Sequence, residues 1–374
     1  MKAQADKWKN YKNLLCIRTD NLGDIIMTSP AIRALKEALP GRKITLLASR
    51  AGSGIAKLIP EIDQIIISEP AWMKPDIEGQ QNVQKLIEEL KKHQYDAAVI
   101  FNVYSQNPLP AAMVCYMAGI PNIACYCREN PYHLVTDWIP DKEPIYEIKH
   151  EVIRQLDLVK HLGATVKDDS FHLNISNETY LHLHEKLNEF GINPAKDYII
   201  IHPGVSEEKR QYPIQNFTNA AELINKKKEI QIIITGVESE FRLGEVIKNR
   251  VGNNVWNLAG KLNLEELVAL IRMSKVLIAN NTGPVHIAAA VKTPVVVLYA
   301  LTNPQHAPWK TKYILLPFDV PEEKRSKNII ISYAYEKAFT NPPEKIITPE
   351  EVSDAALSLI NNSKAIKKTE VLKL

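Results

Sequence analysis

The stretch Ala279-Asn280-Asn281-Thr282-Gly283-Pro284-Val285-His286-Ile287-Ala288-Ala289-Ala290 follows an apolar run, 276–278, that is typical of a buried strand. It predicts a turn into a helix whose first turn carries a small hydroxyl, a glycine, a proline and a histidine. Proline suits an early helical position, because its missing N–H would be unpaired there anyway. The first N–H groups of a helix and its dipole attract negative charge. The stretch therefore predicts an anion site, although an ordinary strand–turn–helix connection has the same pattern.

Two further segments predict the same kind of junction. Near the start of the chain, 14–18 is a short apolar strand and 19–24 is a polar loop with a glycine, followed by a helix with apolar residues at about 3.6 spacing. The segment 202–213 leaves the apolar strand 198–201 and precedes another predicted helix. Ligands of open α/β sheets bind where strands end and helices begin, so all three junctions are candidate parts of a site.

Strands and helices alternate in both halves of the chain. The predicted strands are 14–18, 44–48, 64–67, 96–101, 198–202, 231–235, 276–279 and 295–299. The predicted helices are 25–39, 52–59, 82–93, 108–118, 147–162, 214–227, 238–249, 263–273 and 283–291. This alternation favours parallel sheets covered by helices on both faces. The stretch 126–148 is predicted to be irregular, and Thr348-Pro349 predicts a further helix start.

Composition excludes several classes of protein. The 374 residues suffice for two α/β domains, and a net charge of +3 is too small to indicate a nucleic-acid partner. The first 13 residues are polar and lysine-rich, and no window of the sequence approaches the ~18 apolar residues of a membrane span. We therefore expect a cytoplasmic protein with at most peripheral contact at the inner face of the cytoplasmic membrane. The four cysteines lack metal or disulfide spacing, so reduced thiols are expected.

Four motifs in order resemble glycosyltransferase family 9, the heptosyltransferases of lipopolysaccharide core assembly. They are R-T-D-N-L-G-D-I-I-M-T-S-P-A-I-R-A-L-K at 18–36, H-P-G-V-S-E-E-K-R-Q-Y-P at 202–213, L-A-G-K-L-N-L-E-E-L at 258–267, and N-N-T-G-P-V-H-I-A-A-A at 280–290 with T-N-P at 302–304. The matches extend over about 14–360. The resemblance implies a glycosyltransferase-B fold, in which two doubly wound Rossmann-like domains face a cleft.

The resemblance also implies a separate role for each domain. Residues 1–175 would form an acceptor-binding domain, 176–347 a nucleotide-sugar-binding domain, and 348–374 a C-terminal helix and basic tail. The implied activity is inverting transfer of heptose from ADP-heptose to a lipopolysaccharide-core-type or lipid-linked saccharide. Alternatives are another nucleotide sugar, a protein or small-molecule acceptor, or a nucleotide-sugar-binding protein without turnover. A Rossmann dehydrogenase is disfavoured, because 19–24 has no G-x-G-x-x-G.

Glycosyl transfer needs a base for the acceptor hydroxyl and stabilisation of the leaving diphosphate. Many glycosyltransferases hold the diphosphate through a metal ion on an Asp-x-Asp motif, and the sequence contains no Asp-x-Asp. We therefore expect a metal-independent enzyme without a cofactor. The helix near Thr282 and a cation from 202–213 would then supply the countercharge.

The candidate catalytic residues are Asp24 and Arg210. Asp24 matches the family's proposed catalytic base in the L-G-D motif, whereas its position alone favours a helix cap. Arg210 aligns with the family's lysine that contacts donor phosphate, and Lys209 is adjacent and could substitute. An arginine presents a planar fork, so its contact geometry would differ. Tyr212 replaces the family's tryptophan and is predicted to be a packing residue.

Donor contacts are expected at the third junction. Asn281 stands where the family has aspartate, which leaves the donor sugar open, while the N–H groups of Thr282 and Gly283 remain for phosphate. His286 matches the family's histidine in G-x-x-H, which implies a contact with phosphate. Glu240 matches the nucleotide-ribose contact, and a solvated carboxylate on a helix face is the equal alternative.

The remaining candidates rest on position. Ser206 is a further donor-binding candidate from the segment 202–213. The acceptor-binding candidates come from the first domain and are Arg18, Asn21, Tyr104, Ser105 and the loop 126–148.

Overall fold

The computed structural model describes residues 6–69, 72, 79–301, 304–338 and 347–362. The chain divides into two compact units. Unit 1 comprises Met1–His172, Pro304–Ala307 and Lys327–Ala334, and unit 2 comprises Leu173–Asn303, Pro308–Ser326 and Tyr335–Leu374. The sequence did not predict that two later segments belong to unit 1.

Unit 1 is a doubly wound α/β unit. Its elements are β1 (Asn13–Arg18), α1 (Leu22–Glu37), β2 (Lys43–Ala48), α2 (Arg50–Ala56), β3 (Gln64–Ile67), α3 (Gly79–Lys92), β4 (Ala97–Ile100), α4 (Leu109–Met117), β5 (Ile123–Cys127), β6 (Asp137–Pro140) and α5 (Glu151–His161). The sheet is parallel, with strand order β3-β2-β1-β4-β5-β6. The order reverses between β1 and β4, and ligands of such sheets bind outside the strand ends at this point.

Unit 2 repeats the plan. Its elements are α6 (Asn177–Glu189), β7 (Tyr198–His202), α7 (Ile214–Lys227), β8 (Gln231–Ile234), α8 (Phe241–Val251), β9 (Val255–Asn257), α9 (Leu264–Met273), β10 (Leu277–Asn280), α10 (Gly283–Ala290), β11 (Val295–Ala300) and β12 (Tyr313–Phe318). The strand order is β12-β11-β10-β7-β8-β9, again parallel. Its order reverses between β7 and β10. The 202–213 segment and the start of α10 follow these two strands, so the fold brings both predicted junctions to one place.

Two helices complete the described chain. α11 (Ile329–Ala338) spans the division between the units, and α12 (Pro349–Asn362) packs on α7. Thr348 caps α12 as predicted: its Oγ1 accepts from the Glu351 N–H at 3.3 Å, and its own N–H donates to Glu351 Oε2 at 2.8 Å. The predicted basic tail, 363–374, lies outside the described residues. Within the described ranges, no helix combines the length and apolar character needed to cross a bilayer.

The predicted α/β class with two parallel sheets is confirmed, and eight strands were predicted near their observed positions. The structure adds β5, β6, β9 and β12, and it corrects the prediction that 126–148 is irregular. β6 has only four residues and ends in Pro140, and it lies at the sheet edge, where a proline is tolerated. Such short strands in a segment rich in proline and aromatic residues carry too little periodicity to be recognised.

Candidate active site

Asp24 is the third residue of α1, beyond the end of β1. The helix N-cap is Asn21, whose N–H donates to Asp24 Oδ2 at 3.2 Å. Asp24 thus forms one half of a capping box with that oxygen. Its other oxygen, Oδ1, lies 3.1 Å from Arg18 Nη2 and 3.8 Å from His306 Nε2. The side chain keeps 15% of its surface exposed, so capping and a role as base are compatible.

Arg18 has no exposed surface and lies among three carboxylates. Its Nη1 donates to Glu151 Oε1 at 2.8 Å, its Nη2 to Asp24 Oδ1 at 3.1 Å, and its Nε lies 2.8 Å from Asp20 Oδ2. Burial alone would lower the pKa of Arg18, but the three carboxylates outweigh burial and raise the pKa. The predicted acceptor contact is therefore corrected, because a buried guanidinium occupied by carboxylates holds Asp24 and presents no surface to an acceptor.

Asp20 is a member of this cluster that the sequence reasoning missed. Gln106 Nε2 donates to its Oδ1. Burial raises the pKa of Asp20 most strongly, Arg18 lowers it, and the carboxylates of Asp24 and Glu151 raise it again, so that the pKa is about 6. The signal available in the sequence was its place in T-D-N-L-G-D, four residues before Asp24.

The segment Pro304–Ala307 supplies His306 to the same cluster. The Gln305 carbonyl accepts from the Glu151 N–H at 3.1 Å, and the buried Gln305 side chain donates to Glu143 Oε1 at 2.9 Å. His150 Nε2 lies 2.8 Å from the Ala307 carbonyl oxygen. These contacts fasten the segment to the start of α5 and place His306 beside Asp24. Pro304, the last residue of the T-N-P motif, begins this segment, and Thr302 and Asn303 lie outside the described residues.

The other acceptor candidates differ in exposure. Asn21 is exposed and Ser105 is half-buried, so both stay predictions. Tyr104 is 3% exposed, and burial raises its pKa to about 12. Its carbonyl accepts from Arg128 Nη2 at 2.9 Å. The Tyr104 side chain is therefore a packing residue in this structure, which corrects its prediction as an acceptor contact.

In unit 2, Asn280 holds the 202–213 segment against the end of β10. Its Oδ1 accepts from the Tyr212 N–H at 3.0 Å, and its Nδ2 donates to the Pro203 carbonyl at 2.8 Å. Asn280 has no exposed surface. Tyr212 is buried as a packing residue, as predicted, and its hydroxyl donates to the Ile347 carbonyl at 2.7 Å. One asparagine thus fastens both ends of the loop that carries the predicted cations.

Both candidate cations of this loop pair with Glu207. Lys209 Nζ lies 2.8 Å from Glu207 Oε2, and Arg210 Nη2 lies 3.2 Å from Glu207 Oε1. Burial alone would raise the pKa of Glu207, but Arg210 and Lys209 outweigh it and lower the pKa. Ser206, three residues before Lys209 in the same segment, is exposed. The pairing leaves Lys209 and Arg210 equivalent as predicted phosphate contacts.

Glu240 packs against the backbone of two glycines. A Cβ atom on Gly204 would lie 2.1 Å from the Glu240 carboxyl group, and one on Gly236 would lie 2.8 Å from Glu240 Oε2. That oxygen also accepts from the Val237 N–H at 2.9 Å. The carboxylate therefore lies over the loops that follow β7 and β8. This placement is not that of a solvated carboxylate on an outer helix face, which was the alternative.

The start of α10 carries the remaining donor candidates. Asn281 is 3% exposed, its N–H donates to the Leu298 carbonyl at 3.1 Å, and its Oδ1 has no hydrogen-bond partner within the described part of the chain. Thr282 is the N-cap, but its hydroxyl donates to the Asn280 carbonyl at 3.3 Å rather than serving the helix N–H groups. Gly283 begins the helix, and His286 is buried in its first turn.

Two doubly wound parallel sheets with strand-to-helix junctions of this kind are the architecture of glycosyltransferases of the B type, which use nucleotide sugars. The model of glycosyltransferase family 9 (heptosyltransferase) matches residues 83–330, which is more than half of the chain. The chain belongs to this family, and it is a glycosyltransferase.

The relatives agree with this assignment. Lipopolysaccharide heptosyltransferase 3 of Escherichia coli K12 is 26% identical over 293 residues, which cover 77% of this chain and 82% of the relative. The fold is similar to the crystal structure of a family 9 glycosyl transferase from Veillonella parvula, with a TM-score of 0.76, 19% identity, and 94% and 98% of the two chains covered. It is also similar to E. coli heptosyltransferase WaaC with ADP-2-deoxy-2-fluoro heptose, with a TM-score of 0.61, 17% identity, and coverage of 87% and 100%.

Proposed function

We propose that this glycosyltransferase moves a heptose from ADP-heptose to a saccharide acceptor of the lipopolysaccharide core, with inversion at the anomeric carbon and without a metal ion. The observation that carries the proposal is Asp24, a partly exposed carboxylate held by Arg18 where β1 ends. The relative named as a lipopolysaccharide heptosyltransferase and the solved relative with an ADP-heptose analogue support the donor and acceptor classes.

Asp24 acts as the general base. The acceptor hydroxyl oxygen forms a bond to the anomeric carbon while Asp24 takes the hydroxyl proton. The bond between the anomeric carbon and the β-phosphate oxygen breaks, and ADP leaves with the electron pair. A single displacement of this kind inverts the anomeric carbon and needs one carboxylate but no enzyme nucleophile.

The leaving diphosphate is stabilised by groups of unit 2. Arg210 and Lys209 carry positive charge on the loop that Asn280 fastens, and the N–H groups of Thr282 and Gly283 lie at the positive end of α10. Glu207 pairs with both cations, so the diphosphate would take its place as their partner. The Glu240 carboxylate accepts hydrogen bonds from the ribose hydroxyls.

A second nucleotide sugar is the alternative donor. Asn281 is neutral where the family has aspartate, and its buried Oδ1 has no hydrogen-bond partner within the described residues. Such an oxygen accepts a hydrogen bond from a hydroxyl of the donor sugar without adding negative charge beside the diphosphate. A different pattern of sugar hydroxyls would therefore suit this position.

The test is Asp24→Asn, which keeps the shape of the side chain and removes its basicity. The amide oxygen of asparagine can still accept from the Asn21 N–H, as Asp24 Oδ2 does, so the melting temperature and the Kd for ADP-heptose should hardly change. Loss of a general base lowers turnover by about 10²–10⁴-fold. A normal kcat with lipopolysaccharide core saccharide would refute the role of Asp24. Assays with excess EDTA test metal independence, since turnover lost on chelation and restored by Mg²⁺ would refute it. Assays with a panel of nucleotide sugars test the identity of the donor.

A further inference from the structure

We propose that Glu151, a buried residue of α5, is a positioning residue that orients Asp24 through Arg18 and divides the positive charge of Arg18 between the base and itself. The inference rests on the proposed role of Asp24 as base. Glu151 has no exposed surface and contacts the Arg18 guanidinium, which in turn contacts Asp24.

The geometry of the guanidinium makes this coupling rigid. Arg18 uses a different nitrogen for each carboxylate: Nη1 for Glu151 at 2.8 Å, Nη2 for Asp24 at 3.1 Å, and Nε for Asp20 at 2.8 Å. The five N–H groups of a guanidinium lie in one plane with a fixed fork. When Glu151 fixes Nη1, the direction of Nη2 is fixed as well. Glu151 therefore fixes the position of Asp24 Oδ1 through the Arg18 guanidinium.

Glu151 is itself held from two directions. Gln155, one turn later in α5, donates from Nε2 to Glu151 Oε1 at 2.6 Å, and the Glu151 N–H donates to the Gln305 carbonyl at 3.1 Å. Its second oxygen, Oε2, has no hydrogen-bond partner within the described residues. A buried ion pair is a weak source of stability, because desolvation offsets most of its attraction. An incompletely bonded buried glutamate is better explained by orientation of Arg18 than by stabilisation of the fold.

Among the described residues, charged groups that face Asp24 lie on β1, on the loop after it, on α5 and on the segment 304–307. Arg18 and Asp20 lie on β1 and its loop, His306 on the segment 304–307, and Glu151 on α5. α1 also packs on α2, whose charged residue Arg50 is exposed. Arg18 favours the carboxylate form of Asp24, and Glu151 draws part of that charge away. Removing the charge of Glu151 should therefore make Asp24 a weaker base, and removing the charge of Arg18 should do the opposite.

The experiment follows the titration of the Asp24 carboxyl carbon by ¹³C NMR in the full chain, assigned by its loss in Asp24→Asn. Glu151→Gln should move the midpoint of the titration to lower pH by about one unit, and Arg18→Met should move it to higher pH by about one to three units. The acidic limb of the kcat/KM profile should move in the same directions, with kcat lowered by about tenfold for Glu151→Gln.

The matched control is Glu61→Gln. Glu61 lies between α2 and β3 and forms a buried ion pair with Arg33, which is on α1 like Asp24. This variant should leave the Asp24 midpoint unchanged. Equal shifts in Glu61→Gln and Glu151→Gln, shifts of one sign in both Glu151→Gln and Arg18→Met, or no shift in Glu151→Gln would overturn the inference. If Glu151→Gln does not fold, the shorter Glu151→Asp should give a smaller shift in the same direction, and no shift would count against us.

The NMR titration separates this inference from the proposed function. A fully active Asp24→Asn refutes the base, whatever the titrations show. An inactive Asp24→Asn together with an unmoved midpoint in Glu151→Gln refutes the positioning role alone.

Discussion

Asp20→Asn should stabilise the protein at neutral pH. The side chain is 13% exposed and lies beside Arg18 and the carboxylates of Asp24 and Glu151, and the pKa of Asp20 is about 6 against an ordinary value of 3.8. The folded protein therefore binds this proton more tightly than the unfolded chain does. The contribution of Asp20 to the free energy of unfolding therefore falls as pH rises from about 4 to about 6, and above pH 6 it stays at this lower level.

The size of the effect follows from the pKa difference. The pKa of Asp20 lies about 2 units above its ordinary value of 3.8. Each unit corresponds to about 1.4 kcal/mol, so ionised Asp20 lowers the free energy of unfolding by on the order of 3 kcal/mol above pH 6. This figure already includes the attraction of Arg18. Asparagine has the same shape and cannot ionise. We expect a higher free energy of unfolding for Asp20→Asn at pH 7.5, and a difference that shrinks toward zero at about pH 4.

Urea unfolding of wild type and Asp20→Asn between pH 4 and 8 measures this difference. A variant that is less stable than wild type at pH 7.5, or a difference that does not depend on pH, would refute the reasoning. The same variant tests the choice of base. Asp20→Asn removes a carboxylate from Arg18, as Glu151→Gln does, so turnover should fall by about tenfold at most while Asp24 remains. A loss as large as that of Asp24→Asn would identify Asp20 as the base.

Two further predictions concern the donor side. Arg210→Ala should lower kcat/KM by about one to two orders of magnitude, because hydrogen bonds to charged groups are worth about 1.5–3 kcal/mol; steady-state kinetics that show this loss for Lys209→Ala instead would reassign the phosphate contact to Lys209. Gly204→Ala should displace the Glu240 carboxyl group, which would lie 2.1 Å from the new Cβ atom. Because that group ends a flexible side chain, the melting temperature should stay near that of wild type while the Kd for ADP, measured by calorimetry, rises about tenfold or more. Unchanged ADP affinity would argue against a ribose contact.

Local patterns in the sequence were sufficient for much of the fold. The apolar strands, the helix starts at Thr348 and before α10, and the absence of Asp-x-Asp depend on neighbouring residues, which a single sequence displays. The same patterns indicated Asp24, Arg210 and Glu240 as candidates through a family resemblance. Short edge strands such as β6 escaped, because four residues in a segment rich in proline carry little periodicity.

Tertiary structure alone decided how the site residues are held. Arg18 and Glu151 are separated by 133 positions in sequence, and Gln305 and Glu143 by 162, yet each pair is joined by a buried hydrogen bond. Asn280 reaches back to Tyr212 and Pro203 in the same way. No local pattern encodes such contacts, because they arise only when the strand order of each sheet brings distant strand ends together. The sequence by itself therefore determined which residues are candidates, and the packing of the sheets determined that Arg18 and Tyr104 are buried while Asp24 keeps an exposed face.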